Sequence, residues 1–283
     1  MKKLLAIFLA CLMLVSFAAC GGKTPTDAST DTDASKSKII RLSTTTSVND
    51  SGLLPYLLPA FQEKTGYTVE VQSAGTGAAI QAAKDGNADL ILVHAKASEE
   101  EFISEGYGVE RIPFMYNYFV VVGPKDDPAG IKGSKSAADA FDEIEDAEAT
   151  FISRGDESGT HKAELKIWGD DVPEADDKWY INAGQGMGAC LTMASEKDAY
   201  CLTDKATFLS IKADFDLEIL LSEGEDMKNT YSLIECNPEK LTDLNTEGAK
   251  AFIEWMTGDE ASALIAKYGE EQYGEALFTL IEE

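Results

Sequence analysis

Between residues 39 and 104 the chain repeats one arrangement three times, and that repetition limits the fold more than any other feature. Ile39-Ile40-Arg41-Leu42-Ser43 reads as a strand, runs into Thr44-Thr45-Thr46-Ser47, and is followed over 53–64 by a helical pattern with Leu54, Leu57, Leu58 and Phe61 on one face. Thr68-Val69-Glu70-Val71-Gln72 is the second strand; Ser73-Ala74-Gly75-Thr76-Gly77 follows it and opens a helix that continues through Ala83. The third unit is the run Ala88-Asp89-Leu90-Ile91-Leu92-Val93, leading to His94 and an acidic helix over 99–102. Strand-then-helix units in series call for a parallel sheet covered by helices, with ligands bound beyond the carboxyl ends of the strands. Each polar cluster lies at such an end. The glycines of the second cluster let a ligand approach the backbone, but Ile80 stands where a dinucleotide fingerprint needs its third glycine.

A long apolar run over 112–122, closed by Gly123-Pro124, reads as a strand that leaves this first lobe for a second one. The second lobe repeats the pattern. Thr150-Phe151-Ile152 leads into a polar loop and a helix over 162–168; Trp179-Tyr180-Ile181-Asn182 leads into Ala183-Gly184-Gln185-Gly186-Met187-Gly188 and a helix over 189–196; 199–204 is again a strand. Strands over 217–221 and 230–236 return the chain to the first lobe, and helices over 246–257 and 260–267 finish it. The expected architecture is α/β, two βα lobes joined by two crossover strands around a central cleft. Lobe 1 is assigned 39–120 and 212–283, and lobe 2 is assigned 121–211. Trp168, Trp179 and Trp255 are expected in the cores.

The first residues belong to neither lobe. Lys2 and Lys3 precede an apolar run that ends Phe17-Ala18-Ala19-Cys20, the layout of an export signal over 1–20. A cysteine at the cut resembles a bacterial lipobox, with Phe17 in place of the usual leucine, and makes Cys20 the expected lipidation site. Residues 21–38 hold almost no large apolar side chain and are expected to act as a flexible tether. A globular body tethered to a lipid works at the outer face of the cell membrane without crossing it. The formal net charge of −26 argues against nucleic acid as a partner. It does not exclude a small anion, because exposed charges beyond about 8 Å are largely screened at physiological ionic strength. Cys190, Cys201 and Cys236 lie beyond the leader without metal spacing and are expected as buried thiols or at most one disulfide.

Chemistry concentrates in the loop Ser153-Arg154-Gly155-Asp156-Glu157-Ser158-Gly159-Thr160-His161. It sits between a strand and a helix start, where backbone N–H groups are free and the partial charge is positive, so a guanidinium, small hydroxyls and glycines placed there bind an anion. Ser158 or Thr160 is expected to cap the helix, with Glu164 closing a capping box. A nucleophile elbow would need glycine where Asp156 stands, so no enzyme activity is expected. His94 and His161, the only two histidines, are expected in structural roles, because His161-Lys162-Ala163-Glu164 lacks the zinc pattern of two histidines on one helix face. If the two lobes aim their clusters across the cleft, each charge-assisted hydrogen bond to a tetrahedral oxyanion contributes roughly 1.5 to 3 kcal/mol. Five or six would exceed the approximately −12 kcal/mol of nanomolar binding before ordering costs.

Thr44-Thr45-Thr46-Ser47, Asn49-Asp50-Ser51-Gly52-Leu53-Leu54, Gly75-Thr76-Gly77, the His94 segment, the 153–161 loop and Gly184-Gln185-Gly186-Met187-Gly188, taken in this order, resemble the tungstate-binding lipoproteins of bacterial ABC importers. The resemblance covers nearly all of 39–283. It implies a type II periplasmic-binding-protein fold that captures tungstate outside the cytoplasm and delivers it to a membrane permease, with no cofactor and no bound metal ion. It implies Arg154 and Thr160 as ligands of the anion from one lobe, and Thr45 with its neighbours from the other. The full candidate set is Thr44, Thr45, Thr46, Ser47, Ser73, Gly75, Thr76, Arg154, Ser158, Gly159, Thr160 and Gly186. Expected partners are tungstate or molybdate, the ABC permease and the lipid at Cys20, with a monomeric body. Tyr118 and Lys205 depart from the family pattern, which has aspartate and arginine there. The alternatives within the same fold are a molybdate- or phosphate-binding protein. In a phosphate site Asp156 would accept the proton of hydrogen phosphate; in a tungstate site it should instead hold Arg154 or backbone N–H groups.

Overall fold

The computed structural model describes residues 38–174, 176–222 and 224–281. The leader, Cys20 and the tether up to residue 37 lie outside the described residues. The chain opens with β1 (Ile39–Thr45), α1 (Thr46–Asp50), α2 (Leu53–Thr65), β2 (Thr68–Ala74), α3 (Thr76–Lys84), β3 (Leu90–Val93) and α4 (Lys96–Ser104). After β4 (Ile112–Gly123) come α5 (Ala137–Asp146), β5 (Phe151–Ser153), α6 (Gly159–Trp168), β6 (Tyr180–Asn182), α7 (Met187–Glu196), β7 (Tyr200–Asp204), α8 (Lys205–Ile211) and β8 (Glu218–Ser222). The chain closes with β9 (Lys228–Glu235), α9 (Thr246–Met256), α10 (Asp259–Ile265), α11 (Glu270–Tyr273) and β10 (Thr279–Leu280).

Hydrogen bonding orders the strands β2-β1-β3-β9-β4-β7-β5-β6, with β8 and β10 also paired to β4. The βα units are parallel, as their connections require: β1 pairs in parallel with β2 and β3, and β5 with β6 and β7. The sheet as a whole is mixed, because the crossing strands run against the βα units. β9 is antiparallel to β3 and β4, and β4 is antiparallel to β7 and β8. Residues 112–118 of β4 pair with β9, and residues 119–123 of the same strand pair with β7 and β8, so β4 passes from the first lobe into the second. β8 pairs along the second part of β4, and the chain returns between β8 and β9.

Each lobe has apolar packing on both faces of its sheet, and the two-residue period of the strands divides it. In β3, Leu90 and Leu92 face α2 and α9 through Leu57, Phe61 and Phe252, while Ile91 and Val93 face α3 and α4 through Ala79, Ile80 and Phe102. In the second lobe Phe119 and Val121 of β4 pack with Phe141, Phe151 and Trp168, whereas Val120 and Val122 pack with Leu191 and Phe208. Trp168 and Trp255 are buried and Trp179 packs against the second-lobe core, as expected from sequence. Cys190, Cys201 and Cys236 are buried free thiols, and burial pushes the Cys190 thiol up to about 11. No helix among the described residues is long and apolar enough to cross a membrane.

Candidate anion-binding site

Loops at the carboxyl ends of β1, β2 and β5 each lead straight into a helix, so three helix starts carry the candidate residues. At the first, Thr45 caps α1 by accepting from the Val48 N–H at 3.4 Å. Its hydroxyl lies 3.0 Å from the Ser47 hydroxyl, which in turn lies 2.9 Å from Nε2 of His94. Thr44 is used differently. Its hydroxyl donates to the Leu92 carbonyl at 2.6 Å, fastening β1 to β3. Thr46 is half-buried.

At the second helix start Gly75 precedes α3 with no side-chain cap, and Thr76 is fully buried with a hydroxyl that meets no hydrogen-bond partner among the described residues. An unpaired buried hydroxyl costs about 1 to 3 kcal/mol, so a free donor there is a position suited to a ligand. Ser73 is exposed on the strand before it.

The third is the 153–161 loop, and its shape follows from local side-chain bonds. Ser153 accepts from the Gly155 N–H at 3.2 Å, and Gly155 turns back with φ of +57°, beside Asn182. Ser158 caps α6 by accepting from the His161 N–H at 3.2 Å. Two backbone N–H groups of the first turn, those of Gly159 and Thr160, then engage no acceptor among the described residues. Arg154 is only 3% exposed. Its Nη2 donates to Asp156 at 2.6 Å, and its Nε has no partner among the described residues. The second oxygen of Asp156 accepts from the Ser158 N–H at 3.1 Å. Burial works to raise the Asp156 carboxyl, but the Ser158 bonds and the Arg154 charge outweigh it and hold it below the ordinary carboxylate value. Asp156 is therefore an ionised brace for Arg154.

Glu164 does not close a capping box. With Ser158 as cap, the position that reaches back is His161, and Glu164 points inward, buried, where its carboxylate accepts from the Tyr180 hydroxyl at 2.6 Å. Burial raises Glu164 to about 7. His161 accepts the Glu157 N–H on Nδ1 at 3.0 Å.

Loops of the two lobes meet. A β-carbon placed on Gly159 would fall 2.5 Å from Cε1 of His94, and one on Gly75 would fall 3.9 Å from the Asp156 carbonyl oxygen. Lys162 of α6 donates to Ser98 of α4 at 2.8 Å, a further tie between lobes. The structure thus gathers Thr45, Ser47, Gly75, Arg154 and Gly159 around one junction through His94 and Asp156. Gly186, which caps α7, is exposed.

Sequence reasoning placed His94 at a strand end but missed what surrounds it. His94 Nδ1 lies 2.8 Å from Asn229 Oδ1. Asn229 Nδ2 reaches Asn117 Oδ1 at 3.0 Å, the Tyr231 hydroxyl at 2.8 Å and Asp204 at 3.3 Å; Asn117 and Tyr231 also donate to Asp204, at 2.5 and 2.9 Å. This buried network spans β4, β7 and β9 where the chain crosses between lobes. Its members are far apart in sequence, and no local pattern announces them.

An α/β fold of two lobes on shared crossing strands is that of a solute-binding protein of the periplasmic type, and residues 25–260 match the PBP superfamily domain. Over 284 aligned residues, 99% of this chain and 98% of the relative, the sequence is 46% identical to the tungstate-binding protein TupA of Peptoclostridium acidaminophilum. Two solved structures superpose with TM-scores of 0.75: the tungstate ABC transporter protein of Geobacter sulfurreducens, 44% identical over 81% of this chain and 98% of that one, and TupA of Desulfovibrio alaskensis G20, 36% identical over 87% and 99%. The chain belongs to the TupA family of tungstate-binding proteins.

Proposed function

We propose that this protein captures tungstate between its two lobes and hands it to an ABC permease. The observation that carries the reading is the close approach of the loop before α6, which holds a buried guanidinium with an unpartnered Nε and the open N–H groups of the helix start, to His94 and Gly75 of the first lobe, beside the unpartnered Thr76 hydroxyl at the start of α3. A tetrahedral dianion without protons only accepts hydrogen bonds, so every group that meets its oxygens must donate. Arg154, Thr160, Thr45, Ser47, Thr76 and the backbone of Gly75 and Gly159 form the proposed shell. Thr44 supports it from the strand, and Ser73 and Gly186 are rim positions.

Closure follows from the same geometry. A ligand bonded to both lobes stabilises their contact and biases a hinge on the crossing strands. The pairing of β8 with β4 favours counting 218–222 with the second lobe. Molybdate has the same charge and shape and is the nearest competitor. Phosphate is the further competitor; the two oxygens of Asp156 are bonded to Arg154 and Ser158, which favours a bracing role for Asp156 over that of acceptor for a phosphate proton. The lipobox-like end at Cys20 and the polar stretch after it support delivery from a lipid-anchored position on the outer face of the membrane.

Calorimetric titration with tungstate, molybdate, sulfate and phosphate tests the proposal. Tight binding of tungstate, shared at most with molybdate, is expected; displacement of tungstate by phosphate at equal concentration would overturn the ligand assignment.

A further inference from the structure

The network behind Ser47 fixes a proton count that the anion site alone does not. Asp204 is an acceptor, so the Asn229 amide nitrogen must face it and the amide oxygen must face His94. His94 Nδ1 therefore carries a hydrogen. That leaves Nε2, 2.9 Å from Ser47, either bare or protonated. When it is bare, the single Ser47 hydrogen is given to the imidazole, and Ser47 turns a lone pair toward the junction. When Nε2 is protonated it donates to Ser47, and the Ser47 hydrogen is released. The three-group chain Thr45–Ser47–His94 then has one more hydrogen for an anion.

We propose that His94 is a positioning residue of the anion site that takes up one proton from solvent when a proton-free dianion binds, donates through Nε2 to Ser47, and so turns Ser47 from acceptor to donor. The proposal rests on the tungstate-site reading. Asp204, one amide away, is the buried counter-charge that makes a cationic imidazole tolerable.

The charged groups around His94 set the direction. Arg154, from the loop before α6, opposes protonation, and Asp204 on β7 favours it; burial dominates and holds the unliganded imidazole below its ordinary value, hence neutral at pH 7. Tyr231 on β9 and Phe119 on β4 pack on the ring with centroids 5.0 and 6.4 Å away and carry no charge at that pH. The ring also lines a cleft that carries Lys96, Arg111, Lys162, Lys166 and Lys228 against Glu100 and Asp226, so the cations there outnumber the carboxylates and oppose a positive imidazole. Two negative charges arriving on the Ser47 side reverse this balance. A hydrogen-bearing oxyanion would need no such proton, because neutral His94 leaves Ser47 an acceptor, so His94 also contributes to discrimination between oxyanions by protonation state.

Titration of the full chain with sodium tungstate at pH 7.5, in buffers of low and high ionisation enthalpy, reads the proton directly. The apparent enthalpy should vary with buffer enthalpy by a slope approaching one proton per anion, and affinity should weaken by up to about tenfold per pH unit as pH rises. In His94→Gln the slope should vanish. If that variant does not fold, the imidazole 15N shifts of the wild-type chain serve instead: with two histidines to assign, His94 Nε2 should change from bare to protonated on adding tungstate. Tungstate binding with zero slope and a bare Nε2 would overturn the inference and leave the site reading intact. Uptake that persists in His94→Gln would overturn it by placing the proton elsewhere. No binding in any buffer would overturn the tungstate reading and this inference together.

Discussion

Replacing Arg154 by alanine removes the one guanidinium buried in the donor shell, and the structure sets the size of the loss. One of its nitrogens is committed to Asp156, while Nε is buried with no partner. Counting Nε and one further N–H as bonds to the anion, at about 1.5 to 3 kcal/mol each, the loss is ~3 to 6 kcal/mol. That is about two to four powers of ten in Kd. Arg154→Lys keeps the charge but cannot brace on Asp156 and present a second donor at once, so it should fall between wild type and alanine. Calorimetry measures the affinity, with thermal unfolding of the free protein as the control. The free stability should change little, because Asp156, at 22% side-chain exposure, can be rehydrated when its partner is gone. An alanine variant that binds tungstate within threefold of wild type would refute the assignment of Arg154 as the main anchor.

Two further predictions concern stability. Glu164 titrates near 7 in the folded protein against an ordinary 4.5, so between these values the folded state holds a proton that the unfolded chain has released. Its contribution is therefore largest below pH 4.5 and is lost as pH rises through 7. The difference of ~2.5 units corresponds to about 3 kcal/mol. Urea unfolding from pH 4.5 to 8 should show wild type losing about that much relative to Glu164→Gln; parallel pH profiles would contradict it. Thr76→Val removes a buried hydroxyl that has no partner, so it should raise the stability of the free protein by about 1 kcal/mol while weakening tungstate binding. A variant that loses stability and keeps its affinity would show that Thr76 serves the fold and not the ligand.

Much of this architecture is legible in the sequence because the strand and helix periods are strong. β1, β2 and β3 and the helices after them fall where alternation and the three-to-four spacing put them. α5 is not among the elements the sequence announces, although Ala137, Ala140, Phe141 and Ile144 share its buried face, because its acidic residues outnumber them. The antiparallel placement of β9 against β3 and β4 could not be read, since pairing partners lie over a hundred residues apart and a strand buried on both faces has no signature of direction.

The donor clusters stood out because hydroxyls, glycines and arginine crowd at strand ends. What they lacked was the accounting of hydrogens. Thr44 and Ser47 look alike in sequence, yet one is fastened to the Leu92 carbonyl and the other to His94. Glu164 has the residue type of a capping box but not its offset, lying six residues after Ser158 and four after Thr160 where the box needs three.

Tungsten is heavy enough to be located by its own anomalous scattering, and a crystal of the full chain grown with tungstate is the most direct test of where the anion sits. The account requires one strong peak enclosed by the starts of α1, α3 and α6, with oxygens ~2.7 to 3.2 Å from Arg154, Thr160 and the Thr45–Ser47 hydroxyls. A peak held by one lobe alone, or one in which Arg154 touches only Asp156, would contradict it.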